Sequence, residues 1–414
     1  MIFTAKSALI LGGGIIGLTC ALRLLERGLS VTVLDPQKDR VSASLGNAGH
    51  LAVEQAAPLS SPQSLASAPR RLFAFGGPLD FPFSAAATWA PFALRYVAAS
   101  KPQQFNAGKA ALSPWLAEAV PAWRRLGAAI NAQDLIIEQG HFVVWESAKS
   151  AAKGAAAWAA MNTKEAAFRS AADAELAEIT KRVRAPVASA VRFERSGQIF
   201  DLDALQSRLI GIIKNAGGEF VDAKAKRISI HNGRATAIVA DNVYTADIVL
   251  VAAGADSGPL MKDAGHPAPL IAERGYHIEG VVEGWPPFPP VAFEDRSLII
   301  SRFANSLRLA SFVEFASVET PPDPRKWRRL RRHADDLGIH FAGPVREWMG
   351  ARPTLPDYLP AIGKSNRASN LFYAFGHQHL GLTLAAVTGE AIADLICKER
   401  PALDIEPFDL ARFA

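Results

Sequence analysis

Three glycines constrain this chain more than any other feature. Gly12, Gly14 and Gly17 stand in Gly-x-Gly-x-x-Gly register between a short apolar run and a helical pattern, and a second β-branched run ends at Asp35, 18 residues after Gly17. That punctuation reads as strand, turn, helix and strand, one βαβ unit of a parallel sheet. The turn must be tight at Gly12, the backbone at Gly14 must approach a pyrophosphate with no Cβ in the way, and Gly17 must let the helix lie against the strand. The helix N-terminus, opened by Ile15 and Ile16, brings about half a positive charge to the phosphates. Asp35, at a strand end, is placed to accept from a ribose hydroxyl.

Composition narrows the partners. A chain of 414 residues that is 49% hydrophobic is folded rather than disordered and long enough for two or three domains at ~150 residues each. The excess of 45 basic over 40 acidic residues, +5, is small, so nucleic acid is not expected as a partner. Cys20 and Cys397 approach neither a disulfide framework nor a C-x-x-C metal spacing, which points to a reducing compartment. Gly12, Gly13 and Gly14 interrupt the apolar stretch from Ala8 to Leu25, so it does not read as an export signal. No other stretch offers ~20 apolar residues free of charge. The expected location is cytoplasmic, with peripheral contact at the inner face of the plasma membrane left open.

Further along, residues 44–51, SLGNAGHL, lead into a Pro/Ser-rich connection to Pro69 that reads as loop. Aromatics from Pro78 to Pro102 suit short helices, and the Ala-rich stretch from Lys149 to Lys181 is helical by propensity. A second α/β signature spans Asp201 to Phe220. The strand within residues 245–257 then ends at Ala252-Ala253-Gly254, where small residues permit close approach to a ligand. Residues 266–345 alternate strand-like runs with the basic segment PRKWRRLRRHADDLG. There Trp327, Leu330, Ala334 and Leu337 make an apolar stripe opposite Arg325, Lys326, Arg328, Arg329, Arg331 and Arg332, which is an amphipathic helix with a solvated basic face or a membrane-surface contact. Residues 370–396 read as strand, Gly-rich turn and long apolar helix.

Taken in order, these segments resemble the D-amino acid oxidase superfamily of FAD-dependent oxidoreductases, most closely its bacterial D-amino acid dehydrogenases. The resemblance spans the chain through Gly12/Gly14/Gly17 with Asp35, Ser44-x-x-Asn47-Ala48-Gly49-His50, Ala252-Ala253-Gly254, Gly350-x-Arg352-Pro353, and Gly376-His377-x-x-Leu380-Gly381-Leu382-Thr383. It implies an α/β fold with a discontinuous Rossmann-like FAD-binding domain (1–60, 196–265 and 345–414). An α+β substrate domain (61–195 and 266–344) on a mostly antiparallel sheet completes it. It also implies FAD held without a covalent bond, an amino acid substrate and a quinone or respiratory carrier as electron acceptor, a dehydrogenase rather than an oxidase. The implied reaction is hydride transfer from a D-amino acid, or a D-proline-type imino acid, to flavin. Glycine, sarcosine or a non-catalytic flavin subunit remain alternatives.

Arg352 is the expected carboxylate anchor, because a guanidinium offers two parallel donors; the structural alternative is a pair with Asp357. Tyr276, in an Arg-Gly-Tyr segment like the family's, lies either near the pocket or packed in a strand. His379 is a third catalytic candidate. With Gln378 it stands where the dehydrogenases carry threonine and glycine, which leaves the substrate side chain open. Backbone N–H groups at Gly381, Leu382 and Thr383, at a helix N-terminus, suit negative charge on the flavin. No metal is expected, since His377 and His379 lack a third ligand nearby in sequence.

Overall fold

The strands Ser7–Leu11 and Ser30–Leu34 lie parallel, Ser7 beside Ser30 and Leu11 beside Leu34, joined by the helix Ile15–Glu26. In this computed structural model, which describes residues 5–36, 42–160, 167–240, 242–397 and 400–414, they form the middle of a six-stranded sheet. Its order is Glu219–Val221, Ser30–Leu34, Ser7–Leu11, Ile248–Val251, Leu371–Phe375 and Ala361–Lys364, parallel except for the last strand. Ala8, Ile10, Val31 and Val33 turn to a core shared with the helices Ile15–Glu26, Leu202–Asn215 and Gly381–Ile396. Leu9, Leu11 and Val249 turn to the opposite core, against Ile228, Ala235 and Ala237 of a small antiparallel sheet. Burial on both faces is why these strands read as continuous apolar runs.

Two glycines set how closely these pieces approach. A Cβ on Gly17 would lie 1.9 Å from the carbonyl oxygen of Gly12, and one on Gly12 would lie 2.4 Å from that of Ala252. The helix therefore rests on the turn, and the turn on the neighbouring strand end. The helix Gly381–Ile396, with its preceding turn, is long and apolar enough by composition to cross a bilayer. Here it is a core helix, packed between Ile15–Glu26 and the 28-residue helix Pro102–Ala129. Trp123 Nε1 donates to the carbonyl of Leu382 at 3.0 Å.

The second large sheet has nine strands and is mostly antiparallel. It runs Arg346–Thr354, Ile271–Gly280, Leu307–Ala316, Leu298–Arg302, Val291–Phe293, His141–Trp145, Ser189–Phe193 and Arg169–Ser170, with Leu79–Asp80 alongside Leu307–Ala316. The strand Arg346–Thr354, grouped by the division at residue 345 with the dinucleotide unit, pairs in this sheet, with Arg352 opposite Glu273. It is the edge strand, where Pro353 is tolerated.

Local departures from the sequence reading have local causes. Within the Pro/Ser-rich connection, Ser61 accepts from Ser64 N and caps a short helix, Pro62–Ser67. The Ala-rich stretch is two helices, Ala148–Ala159 and Asp173–Arg182, and residues 161–166 between them lie outside the described residues. The basic segment is the helix Pro324–Leu337, and most of its charge is spent within the protein. Lys326 is fully buried, its Nζ 2.6 Å from Asp80 and 3.1 Å from Asp323, and Arg325 pairs with Asp323. Arg329 donates to the carbonyls of Gly77 and Phe73, and Arg331 pairs with Glu347. Among the described residues, Arg328 and Arg332 are the cations of this run left without a hydrogen bond or ion pair, and the helix braces the sheet through the rest.

Gly17→Ala tests the close approach. The methyl meets backbone, which cannot move aside as a side chain can, so a stability loss of about 3 kcal/mol is expected, at the upper end of overpacking costs. A urea midpoint unchanged from wild type would contradict this packing.

Candidate active site

A cavity of about 870 Å³ begins at the carboxyl edge of the six-stranded sheet and continues beneath the nine-stranded one. Gly12, Gly14, Ile15, Ile16 and Asp35 line it from the first βαβ unit, and Ser44, Asn47, Ala48 and His50 from the following loop. Ala253, Gly254, Gly376, His377, Gly381 and Leu382 line it from the two later strand ends. Four residues assigned to the cofactor from sequence stand behind the wall instead. Gly17 lies under the turn, and the carbonyl of Gly49 accepts from Ile199 N at 2.7 Å. Leu380 is core, and Thr383 Oγ1 accepts from Ala52 N at 2.9 Å. These four shape the cavity without facing it.

The dinucleotide end passes a steric test. A Cβ on Gly14 would find only Ser44 Oγ, at 3.6 Å, so no protein contact requires glycine there. Gly14 is also the N-cap of Ile15–Glu26 and offers no side-chain acceptor to the first turn. Ser44 Oγ serves the first N–H, that of Ile15, at 3.1 Å, and the open space over this helix N-terminus is what a pyrophosphate occupies. These residues fit FAD.

The nine-stranded sheet holds the loop of residues 44–49 from above. Arg308 donates to the carbonyls of Leu45, at 3.0 Å, and Asn47, and His277 Nδ1 donates to that of Gly46 at 3.2 Å. His277 stacks on Trp348 with ring centroids 4.8 Å apart, and burial with Arg308 nearby pushes its imidazole down to about 3. Glu279 anchors the clamp, its Oε2 2.9 Å from Arg308 and 2.7 Å from Arg346. Burial alone would raise the Glu279 carboxyl, but Arg308, Ser306 and Arg346 hold it at about 2.

At the other end, Arg352 reaches the cavity from the edge strand. Its Nη1 donates to Glu273 Oε1 at 2.9 Å and to the carbonyl of Phe312 at 3.3 Å. Asp357, the alternative partner, pairs with Arg412 at 2.6 Å. Nη2 of Arg352 lies over Gly275, where a Cβ would come within 2.3 Å of it. Neither Nη2 nor Nε makes a hydrogen bond among the described residues. Buried Glu273 also accepts from Tyr358 at 2.8 Å and from Thr354 at 3.3 Å. Burial and that carboxylate raise the Tyr358 hydroxyl well above its ordinary value.

His379 lines the same region, both ring nitrogens shut off from bulk water and without a hydrogen-bond partner. Burial pushes it down to about 4, so it is neutral at physiological pH. Gln378, in the glycine's place, holds φ +42° and donates to the carbonyl of Tyr358, itself at φ +55°. His377 Nε2 meets Thr388 Oγ1 at 3.1 Å.

Tyr276 is among the residues that line the cavity, but its phenol turns away from it. Glu273, Gly275 and His277 turn to the cavity, and strand alternation sends Arg274 and Tyr276 to the helix Pro324–Leu337. The Tyr276 hydroxyl donates to Glu314 and accepts from Asp323 N at 3.1 Å, and its ring meets Trp327 at 5.4 Å. Its phenol is structural. Sequence reasoning missed Glu273, Tyr358, Arg308, Glu54 and His141, all on or beside the cavity. Only Glu54 carried a signal, standing four residues after His50, whose Nε2 is 3.0 Å from its Oε1.

Gly14→Val should fold with a near wild-type urea midpoint yet purify without bound flavin, read as absorbance per mole of protein. A flavin-loaded valine variant would exclude this turn as the pyrophosphate site.

Glu279 gives a pH dependence with a definite sign. Its folded value of about 2 lies below the ordinary 4.5. The unfolded chain therefore takes up the proton first, and the stabilisation is complete above about 4.5 and lost as pH falls toward 2. Glu279→Gln should be less stable at neutral pH and show a shallower acid loss through that window in urea titrations. Parallel wild-type and variant curves would remove Glu279 from the clamp.

Known proteins match this arrangement. Residues 7–395 fit the family described as FAD dependent oxidoreductase. The chain is 29% identical over 427 residues to a D-amino-acid oxidase of Bradyrhizobium diazoefficiens, covering 98% of each. Among solved structures, glycine oxidase from Geobacillus kaustophilus superposes with a TM-score of 0.75 at 18% identity, over 99% of both chains. Iminodiacetate oxidase from Chelativorans sp. BNC1 gives 0.74 at 16% identity, over 97% of this chain and 98% of that one. L-proline dehydrogenase from P. horikoshii gives 0.70 at 18% identity, over 100% and 98%.

Proposed function

Because the chain belongs to the FAD-dependent oxidoreductase family, with FAD as its cofactor, we propose that it oxidises a D-amino acid to the imino acid, holding the substrate carboxylate on Arg352. The observation that carries this reading is a cavity-lining guanidinium whose Nη1 is fixed on buried Glu273 while Nη2 and Nε make no hydrogen bond among the described residues. The full-length similarity to a D-amino-acid oxidase supports the D configuration.

When bound, FAD supplies an acceptor for the α-hydrogen and its electron pair. The chain's part is to bind, orient and exclude water. Glu273 fixes the Arg352 fork before substrate arrives, so less rotamer freedom is lost on binding. The substrate carboxylate takes the remaining donors, and positioning then dominates the rate. His379 is uncharged and does not repel a substrate amine. Its unpartnered nitrogens favour a substrate that brings a hydrogen-bonding group to that wall. The imino acid leaves as product, cyclic if the substrate was a D-proline type and otherwise open to hydrolysis.

Anaerobic mixing with a panel of D- and L-amino acids, glycine and sarcosine, followed by bleaching of the flavin band, tests this reading. D-amino acids should bleach it, and Arg352→Ala should slow reduction per bound flavin by roughly one to two orders of magnitude. That range follows from charge-assisted hydrogen bonds of ~1.5–3 kcal/mol and about 1.4 kcal/mol per factor of ten. Arg352→Lys should restore part of the rate, lacking the fork. Reduction by glycine alone, or a wild-type rate in the alanine variant, would overturn the assignment. Re-oxidation of the bleached enzyme by oxygen against a quinone then identifies the acceptor.

A further inference from the structure

His141 opens a strand of the nine-stranded sheet, and His50 and Glu54 follow the loop that the sheet clamps. Nothing in the proposed oxidation uses these three side chains together. One ligand atom from each lies within 4.8 Å of the others, and all three residues line the cavity. Their side chains are 3%, 9% and 2% exposed for His141, His50 and Glu54.

Ser196 Oγ lies 2.7 Å from His141 Nδ1 and 3.3 Å from the carbonyl of Phe193, which can only accept. When the hydroxyl serves that carbonyl, the imidazole donates from Nδ1. That tautomer leaves Nε2 of His141 as an acceptor, and it sits 3.8 Å from Glu54 Oε1, another acceptor. The same carboxylate oxygen lies 3.0 Å from His50 Nε2, while His50 Nδ1 and Glu54 Oε2 are buried with no partner among the described residues. Two acceptors then face each other across a gap too long for a hydrogen bond, a spacing that a bound cation would bridge.

We propose that His50, Glu54 and His141 form a binding site for one divalent transition-metal ion of the zinc class. Two imidazoles and one carboxylate are the ligand set such ions favour, whereas calcium and magnesium require oxygen ligands throughout. Bonds of ~2.0–2.2 Å to nitrogen and oxygen place tetrahedral ligands roughly 3.3 Å apart. The separations of 3.0 and 3.8 Å bracket that value, so small side-chain rotations close the site. The Ser196–His141 bond is the outer contact that orients a ligating imidazole. Three protein ligands leave a fourth position toward the cavity, and binding displaces the proton shared by His50 and Glu54.

The test uses the flavin-loaded protein with zinc chloride and does not depend on which amine is oxidised. After incubation and gel filtration, elemental analysis should find one zinc per chain in the wild type. Cobalt substitution should give the visible absorption of a low-coordinate site beyond the flavin band. Glu54→Gln, nearly isosteric, and His141→Ala should each weaken zinc binding at least tenfold, with flavin content reporting that the fold is intact. Ser196→Ala should weaken it less. Absence of zinc from the wild type, or equal retention by flavin-loaded Glu54→Gln, would overturn the site and leave the three residues as a proton-sharing cluster.

Discussion

The approach of the backbone at Gly12 to the carbonyl of Ala252 sets what surrounds it. A single Cβ at Gly12 would stand 2.4 Å from that oxygen, so the ends of two strands from distant parts of the chain meet with no side chain between them. Because they meet, the turns after Ser7–Leu11, Ile248–Val251 and Leu371–Phe375 open into one cavity. The helix Ile15–Glu26 then points its N-terminus into the same space. The dinucleotide end is thus a property of backbone packing, and side chains refine it.

The substrate end depends on charge. Glu273 is buried and satisfied three times over, by Arg352, Tyr358 and Thr354. A carboxylate so held does not need Arg352 alone, and Arg352 can face a second carboxylate while Glu273 remains hydrogen-bonded. Farther along the same strand, Glu279 fixes Arg308 of the neighbouring strand, which holds the loop that lines the cofactor end. One strand, Ile271–Gly280, therefore governs both ends of the cavity.

Much of the dinucleotide site was legible because its signals are local: glycine spacing, a change of hydrophobic period, and an acid at a strand end. Arg352 stood out because few residue types suit a carboxylate, and it lines the cavity. Tyr276 was left open between pocket and strand because parity, which sends the Glu273 side chain inward and the Tyr276 phenol outward, is decided by which face the helix Pro324–Leu337 covers. Lys326 looked solvated in a run of arginines, and its partner Asp80 lies 246 positions away. His141 meets Glu54 only through the register of the large sheet, which no local pattern encodes. Gln378 looked like a change of substrate contact, but its left-handed backbone and its bond to Tyr358 make it a brace for the turn beneath His379.

The order of assembly follows from the sheet. Its central strand, Ser7–Leu11, is made first, whereas Leu371–Phe375 and the helix that closes the cavity lie near the other end of the chain. At ~5–20 residues per second, the ribosome needs roughly 20–80 seconds to deliver both. An enclosed cofactor cavity therefore waits on Leu371–Phe375 and the helix that follows it. Flavin scarcity would act on a folded or nearly folded population, leaving the early steps of synthesis untouched.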